Sequence, residues 1–165
     1  MAAAIGVFIA AVYYVMTLRT AQRNMRITLT NSLMQSLLSE EWRRWFELLY
    51  MEWKDYDDFE RKYGTDIGFD NASKRMNLWY TYNVLGRILE SGLADKETLY
   101  NVMSVGAVWL WVKFKPIIEE HRRRYSGKDA YSGFEYLANE MLKMKRQRDP
   151  SFQIPETFAK YIPDE

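Results

Sequence analysis

The feature that most constrains this chain is an apolar run near its start, AAAIGVFIAAVYYVMTL, from Ala2 to Leu18. The run contains no charged residue. As a helix at about 1.5 Å per residue it covers roughly 25 Å, close to the lower limit for crossing a hydrocarbon core of about 30 Å. We therefore predict a single-pass transmembrane anchor in residues 1–20, with the lipid bilayer as its partner.

Two alternatives to an anchor remain open. A cleaved signal peptide usually has a basic region before its apolar core and a small-x-small cleavage site after it. This run has no basic residue before it, and its core ends in Tyr13, Tyr14, Val15 and Met16. The second alternative is a buried N-terminal helix of a water-soluble protein, which the short length of the run also allows.

The flanks of the run predict its orientation and its contacts. No Lys or Arg precedes it, whereas Arg19, Arg23 and Arg26 follow it closely. The positive-inside rule then places these arginines at the cytoplasmic membrane surface, with the N-terminus outside and the C-terminal domain in the cytoplasm. Gly6 and Ala10, four residues apart, form a small-residue face on which another helix can pack closely.

Composition limits what the remaining chain can be. About 145 residues lie beyond the anchor, which is enough for one domain of ordinary size. The chain has 23 basic and 22 acidic residues, for a net charge of +1. This near-neutral balance argues against nucleic acid as a partner, because nucleic-acid-binding domains are usually strongly basic. Cysteine is absent, so disulfides and thiolate metal sites are excluded.

Apolar residues recur at helical spacing along the whole chain and show no strand pattern. We predict an all-α fold, in which the transmembrane helix continues into a cytoplasmic bundle of four to five helices over residues 21–148. A Pro-containing tail, residues 149–165, follows. After the first helix, we predict four further helices. The second begins at Ser39, continues through Glu60 and ends at a left-handed stop at Gly64, and the third runs from about residue 71 or 73 to a glycine cap at Gly92. The fourth is capped by Asp95 and is ended or kinked by Pro116, and the fifth follows Lys128.

An aromatic stripe marks the second of these helices. Trp42, Trp45 and Trp53 fall on one helical face. Such a face is either part of the core or an exposed surface for a protein partner, since tryptophan is common in both settings. We therefore hold these residues as candidate partner contacts, together with Gly6 and Ala10.

Two basic clusters occur late in the chain. The first is Arg122, Arg123 and Arg124, and the second runs from Lys143 to Arg148. The two clusters could lie together if the last helix folds back on the segment before it. Three interpretations of these clusters remain open: a solvated helix end, a contact for anionic lipid headgroups, or a contact for RNA or DNA. We carry the three arginines as candidate membrane-surface contacts.

No pattern for catalysis or for metal binding is present. His121 is the one histidine, and Ile118 rather than Glu lies three residues before it, so a di-iron Glu-x-x-His motif is missing. There is no G-x-S-x-G elbow and no glycine-rich phosphate loop. We predict no catalytic, metal or cofactor residues and expect that the protein is not an enzyme.

Three groups of residues resemble a known family. They are the N-terminal anchor with its basic helix, the stretch NLWYTYNVLGRILESGLADKETLYNVM with its Gly92 turn and Asp95, and the later YSGFEYLANEM with Tyr131 and Phe134. Together they are similar to a prokaryotic family of small, membrane-anchored, all-helical proteins that contain a domain of unknown function, over about residues 12–145. The resemblance implies an all-helical fold and a membrane location, and it implies no activity.

The sequence thus favours a membrane-anchored helical interaction protein, such as an accessory subunit of a membrane complex, that binds another protein or a second copy of itself. Two alternatives remain. One is an enzyme or regulator whose site is not readable from sequence, and the other is a membrane-tethered nucleic-acid-binding module.

Overall fold

The fold is entirely helical over the described part of the chain, as the sequence predicts. The structure is a computed structural model that describes residues 2–38 and 41–161; the side chains at 2–5, 29, 30, 33–38, 41–43, 126 and 159 are not described. The described helices are α1 (Ala2–Leu38), α2 (Glu41–Leu49), α3 (Tyr56–Tyr63), α4 (Phe69–Glu90), α5 (Lys96–Met103), α6 (Gly106–His121), a π-helical turn (Arg122–Ser126), α7 (Ser132–Arg148) and α8 (Glu156–Ala159).

The first helix is much longer than the others. α1 has 37 residues, which corresponds to about 55 Å. It contacts α2 and α5, and its side chains from Gly6 to Arg26 are exposed. Among the residues that the structure describes, no helix combines the length and the apolar character needed to cross a membrane.

The helix predicted from Ser39 to Gly64 is two helices rather than one. Residues 51–53 between α2 and α3 have no regular structure, and Asp55 begins α3 by accepting a hydrogen bond from the Asp58 amide at 2.8 Å. The break follows from packing, because this turn of the chain lets Trp53 stack on Phe114 of α6. The predicted start at Ser39 lies outside the described residues.

The two predicted glycine stops differ in outcome. Gly92 has a φ of +71°, and the Leu93 amide bonds to the Ile88 carbonyl at 3.0 Å, so the predicted left-handed helix end after α4 is confirmed. The left-handed prediction for Gly64 is wrong, because its φ is −59°. At Gly64 the amide simply continues the helical pattern by bonding to the Glu60 carbonyl at 2.8 Å.

The helix predicted from Asp95 to Pro116 is also divided. The cap at Asp95 is confirmed, but α5 ends at Met103, and Ser104 takes a φ of 47° before α6 begins at Gly106. Pro116 lies inside α6 and does not end it. The buried Ile117 and Ile118 that follow keep the helix in register with the core, which offsets the one backbone hydrogen bond that proline cannot make.

The closest helix pair in the bundle is α4 against α7. A Cβ atom on Gly86 would lie 1.7 Å from the Gly133 carbonyl oxygen, so the two backbones are nearly in contact. The Asn83 side-chain oxygen accepts hydrogen bonds from the amides of Gly133 at 2.9 Å and Phe134 at 3.3 Å. A residue of α4 therefore caps the start of α7 and fixes this helix end against α4.

Candidate membrane-contact helix and buried cation sites

The N-terminal half of α1 presents an apolar surface that no other described element covers. Val7, Phe8 and Tyr13 expose 71%, 71% and 73% of their surface. The same helix exposes further large apolar side chains: Ile9, Val12, Tyr14, Val15, Met16 and Leu18. Monomeric soluble proteins rarely expose so many adjacent apolar side chains, and such a surface usually marks a membrane or protein contact.

Polar groups within this part of α1 are satisfied by the helix itself. The Thr17 hydroxyl donates to the Tyr13 carbonyl and the Thr20 hydroxyl donates to the Met16 carbonyl, both at 2.9 Å. Such bonds lower the cost of placing a hydroxyl in an apolar medium, because the donor keeps a partner there. The predicted small-residue contacts Gly6 and Ala10 are exposed on this helix, and a Cβ atom on Gly6 would meet nothing within 4 Å.

The three arginines after the apolar run are also exposed. Arg19 and Arg23 lie within about 8 Å of the end of the run along the helix axis. Arg26 lies nearer the bundle. Hydrogen bonds from Thr98 lower the pKa of Asp95, and the charge of Arg26 lowers it by a smaller amount.

The arginine cluster after α6 is occupied by contacts within the bundle. Arg122 donates to the Ala130 carbonyl at 2.6 Å and pairs with Glu135 at 2.9 Å. Its guanidinium also lies 5.7 Å from the Trp111 ring centre. Arg122 therefore ties α6 to the start of α7.

Arg123 and Arg124 both pair with one carboxylate. Arg123 Nε and Arg124 Nε lie 2.7 and 2.6 Å from Glu120 oxygens, and Arg124 also pairs with Asp57 at 2.9 Å. These hydrogen bonds lower the pKa of Glu120 to about 2. Local carboxylates thus already neutralise these two arginines, which reduces their value as a headgroup contact.

The two basic clusters do not lie together. Arg122 contacts Glu135 near the start of α7, whereas Arg148 at its end pairs with Glu97 of α5 and lies 4.3 Å from the Tyr100 ring centre. The 13 residue steps from Glu135 to Arg148 span about 20 Å of α-helix. A joint basic patch is therefore absent from the described surface.

The aromatic stripe divides between core and surface. Trp45 is 6% exposed, and its indole N–H donates to the Gly106 carbonyl at 3.2 Å, so this ring belongs to the core. Trp53 is half-buried and stacks on Phe114 with ring centres 5.0 Å apart. Phe46, which follows Trp45 on α2, is 49% exposed, and the side chain of Trp42 lies outside the described residues.

A buried lysine is the most unusual feature that sequence reasoning missed. Lys113 on α6 is 2% exposed and donates to the Met51 carbonyl at 2.5 Å and to the Leu49 carbonyl. Its ammonium group lies 5.1 Å from the Trp53 ring centre and 5.0 Å from that of Tyr161. The available signal was a single cation within the apolar run VWLWVKF.

The charge of Lys113 is compensated by dipoles and rings rather than by an acid. The two carbonyls lie at and just beyond the C-terminus of α2, where the helix dipole favours a cation. Burial, with a smaller contribution from the nearby charge of Lys160, lowers the pKa of Lys113 to about 8, while Glu52 acts in the opposite direction.

Arg75 on α4 forms a second buried cation site. Its side chain is 5% exposed, and one guanidinium nitrogen donates to the Tyr63 carbonyl at 3.1 Å and to the Asn71 side chain at 3.0 Å. The guanidinium lies 4.7 Å from the Phe59 ring centre. Its Nε–H and the Trp79 indole N–H are buried without a hydrogen-bond partner among the described residues.

A family model described as a domain of unknown function, DUF4760, matches residues 1–141. The chain belongs to the DUF4760 family. No curated protein and no solved structure matches it.

The DUF4760 match includes α1 through most of α7, and the segment after Met141 lies outside it. Lys113 and Arg75 thus belong to the family domain, whereas Tyr161, which covers Lys113, does not. Within the described part of this family member, no group of three or more His, Asp or Glu side chains is arranged to hold a metal ion.

Proposed function

We propose that this chain is a membrane-anchored helical protein, a prokaryotic member of its family, whose bundle binds another protein at the cytoplasmic membrane surface. The observation that carries the proposal is the exposed apolar surface of α1 from Val7 to Leu18. The exposure of α1 side chains is described from Gly6 onward. The apolar run itself begins four residues earlier, at Ala2.

The energetics favour a bilayer around this part of α1. Each large apolar side chain is stabilised by about 1.5–3 kcal/mol on moving from water to an apolar medium. A helix satisfies its own backbone hydrogen bonds, so it enters lipid without leaving polar groups unpaired. Tyr13 and Tyr14 lie toward the arginine end of the run, where amphipathic rings favour the interface.

The orientation follows from the basic residues. Arg19, Arg23 and Arg26 lie on the bundle side of the apolar run, so the positive-inside rule places the bundle in the cytoplasm. Single-cysteine labelling is clean in this chain because it has no native cysteine. We expect a cysteine at Lys128 to be protected from an impermeant reagent in intact cells and labelled after lysis; labelling before lysis would reverse the orientation.

A matched pair of substitutions in α1 tests the anchor. We expect wild-type protein to stay in the membrane pellet after carbonate extraction. Val12→Asp should release it, because a carboxylate near the centre of a spanning helix costs roughly 3 kcal/mol. Ile27→Asp is the control, since Ile27 is 48% exposed on the same helix but beyond the apolar run. Release of the wild-type chain would refute anchoring.

The interaction part of the proposal concerns the bundle. Two large apolar side chains of the bundle, Ile67 just before α4 and Phe69 at its start, are 68% and 73% exposed. Co-purification from membranes in mild detergent tests this part, with a stoichiometric partner as the expected result. A monodisperse single chain, with no second protein and no second copy, would contradict it.

A further inference from the structure

The C-terminal segment, residues 150–161, lies over α6 and the connection between α2 and α3. Phe158 stacks on Trp109 with ring centres 5.5 Å apart and an angle of 12° between the rings. Tyr161 packs against Trp53 at 5.0 Å and lies over the Lys113 ammonium group at the same distance. Phe158 in α8 and Tyr161 just after it thus place two rings on a surface formed by Trp53, Trp109 and Lys113, which we call the groove.

The groove beneath this segment contains polar groups that the segment leaves without acceptors. An ammonium group has three N–H donors, and Lys113 uses two of them on the carbonyls of Leu49 and Met51. The remaining donor has no oxygen acceptor among the described residues, and the Trp53 and Tyr161 rings lie beside the ammonium group. The Trp109 indole N–H is also buried without a hydrogen-bond partner there.

The segment is held only by side chains. Each described backbone hydrogen bond of residues 150–161 closes within residues 149–161, as in Phe152 to Asp149 and Tyr161 to Phe158. Its ion pair to the bundle joins Lys160 to Glu52 at 3.3 Å, between two exposed side chains, and such pairs contribute little stability. Pro150 and Pro155 bound the first part of the segment, which connects α8 to α7. The segment is therefore held in the groove by the side-chain packing of Ile154, Phe158 and Tyr161, without a backbone hydrogen bond to the bundle among the described residues.

We propose that this groove, formed by Trp53, Trp109 and Lys113, is a docking site for a helical turn of a partner protein that carries an aromatic residue followed three residues later by Asp or Glu. The chain's own C-terminal segment occupies the site as an intramolecular competitor. The inference rests on the interaction part of the proposed function and identifies the surface and the chemistry of the partner.

Among the described residues 150–161, no carboxylate accepts a hydrogen bond from Lys113. A carboxylate at the position of Tyr161 would accept the third N–H of Lys113 and neutralise its charge. Lys113 is already buried, so only the carboxylate would have to be desolvated on binding, and a hydrogen bond between two charged groups is among the stronger ones in proteins. The aromatic residue would keep the stacking on Trp109 that Phe158 makes now.

The intramolecular segment sets the affinity that a partner needs. A short tether holds its end at an effective concentration on the order of millimolar. A free copy of the same segment therefore competes poorly with the attached one, whereas a segment with the better-matched acidic residue competes well. Weak ligands therefore do not displace the intramolecular segment, whereas a sequence with the matched acidic residue does.

Labelled peptides of residues 150–161 test the proposal by fluorescence anisotropy in detergent. The receptor is the full chain with Phe158→Ala and Tyr161→Ala, which empties the groove. We expect the peptide with Tyr161→Glu to bind about tenfold more tightly than the native peptide, and the Tyr161→Lys peptide not to bind. The wild-type chain should bind the native peptide at least about tenfold more weakly than the emptied receptor does.

Adding Lys113→Met to the emptied receptor is the matched control, and it should abolish the preference for the Glu peptide. The proposal is overturned if that preference survives without Lys113, if the Glu and native peptides bind equally, or if the emptied receptor unfolds. Unfolding would make the segment an integral part of the core. The peptide assay does not depend on membrane extraction, so its result is separate from the test of the anchor. Co-purification tests the binding of a partner independently of the peptide assay.

Discussion

Replacing Gly86 with alanine should weaken the bundle more than any typical surface change. The added Cβ would lie 1.7 Å from the oxygen, 2.4 Å from the carbon and 3.0 Å from the Cα of Gly133. All three atoms belong to backbone, so no side-chain rotation can make room. α4 and α7 must therefore move apart.

The magnitude follows from three contributions. Alanine in place of glycine stabilises a helix by about 1 kcal/mol. Forcing a group into a packed site costs typically about 1–3 kcal/mol and sometimes more, and the backbone position of this overlap favours the upper end. Separation of the helices also weakens the cap from Asn83 to the amides of Gly133 and Phe134, which is worth about 1 kcal/mol. The net expected loss is about 3 kcal/mol.

Thermal unfolding followed by circular dichroism in detergent measures this loss. For a chain of this size, about 3 kcal/mol corresponds to a decrease in Tm of roughly 6–12 °C. Gly106→Ala is the matched control, because a Cβ there would meet Trp45 atoms at 3.6 and 3.7 Å, which is ordinary contact. We expect that variant to change Tm by less than about 3 °C. A Gly86→Ala protein as stable as the Gly106→Ala protein would refute the close helix approach.

Two further predictions concern charge and capping. The pKa of Lys113 is lowered to about 8 from 10.5, so between these values the unfolded chain binds more protons and stability rises with pH. We expect Lys113→Met to remove this rise in the free energy of unfolding, which is about 1 kcal/mol per pH unit. Urea unfolding between about pH 8 and 9.5 measures it, and an identical rise in the variant would contradict the burial of Lys113. Asp95→Ala should lose about 1 kcal/mol of stability in the same assay, because Asp95 accepts hydrogen bonds from the Thr98 amide at 2.8 Å and hydroxyl at 2.7 Å. Asp95→Asn should retain most of this stability, since asparagine also caps a helix. Equal losses in the two variants would contradict the capping role of Asp95.

Local signals in the sequence were enough to predict several helix ends. The Gly92 stop and the Asp95 cap depend on neighbouring residues alone, because both satisfy backbone groups within one helical turn. Gly64 failed as a left-handed stop because its φ is set by the chain that follows toward α4, and glycine accepts either sign of φ.

The positions of the breaks within the predicted helices were set by packing. Residues 51–53 leave helical geometry where Lys113 binds the Leu49 and Met51 carbonyls and Trp53 stacks on Phe114. These partners lie about 60 residues apart along the chain. Periodicity within a window of a few turns contains no information about such a partner.

The sequence by itself determined the helical class, the apolar and basic parts of α1, and the caps at Gly92 and Asp95, because each depends on the spacing of nearby residues. Only the tertiary structure decided that Trp45 lies in the core and that Lys113 is buried beneath Tyr161. It also decided that Arg122 pairs with Glu135 and donates to the Ala130 carbonyl. Burial and pairing are properties of groups brought together from distant parts of the chain, and the packing of α4, α6 and α7 is what brings these groups together.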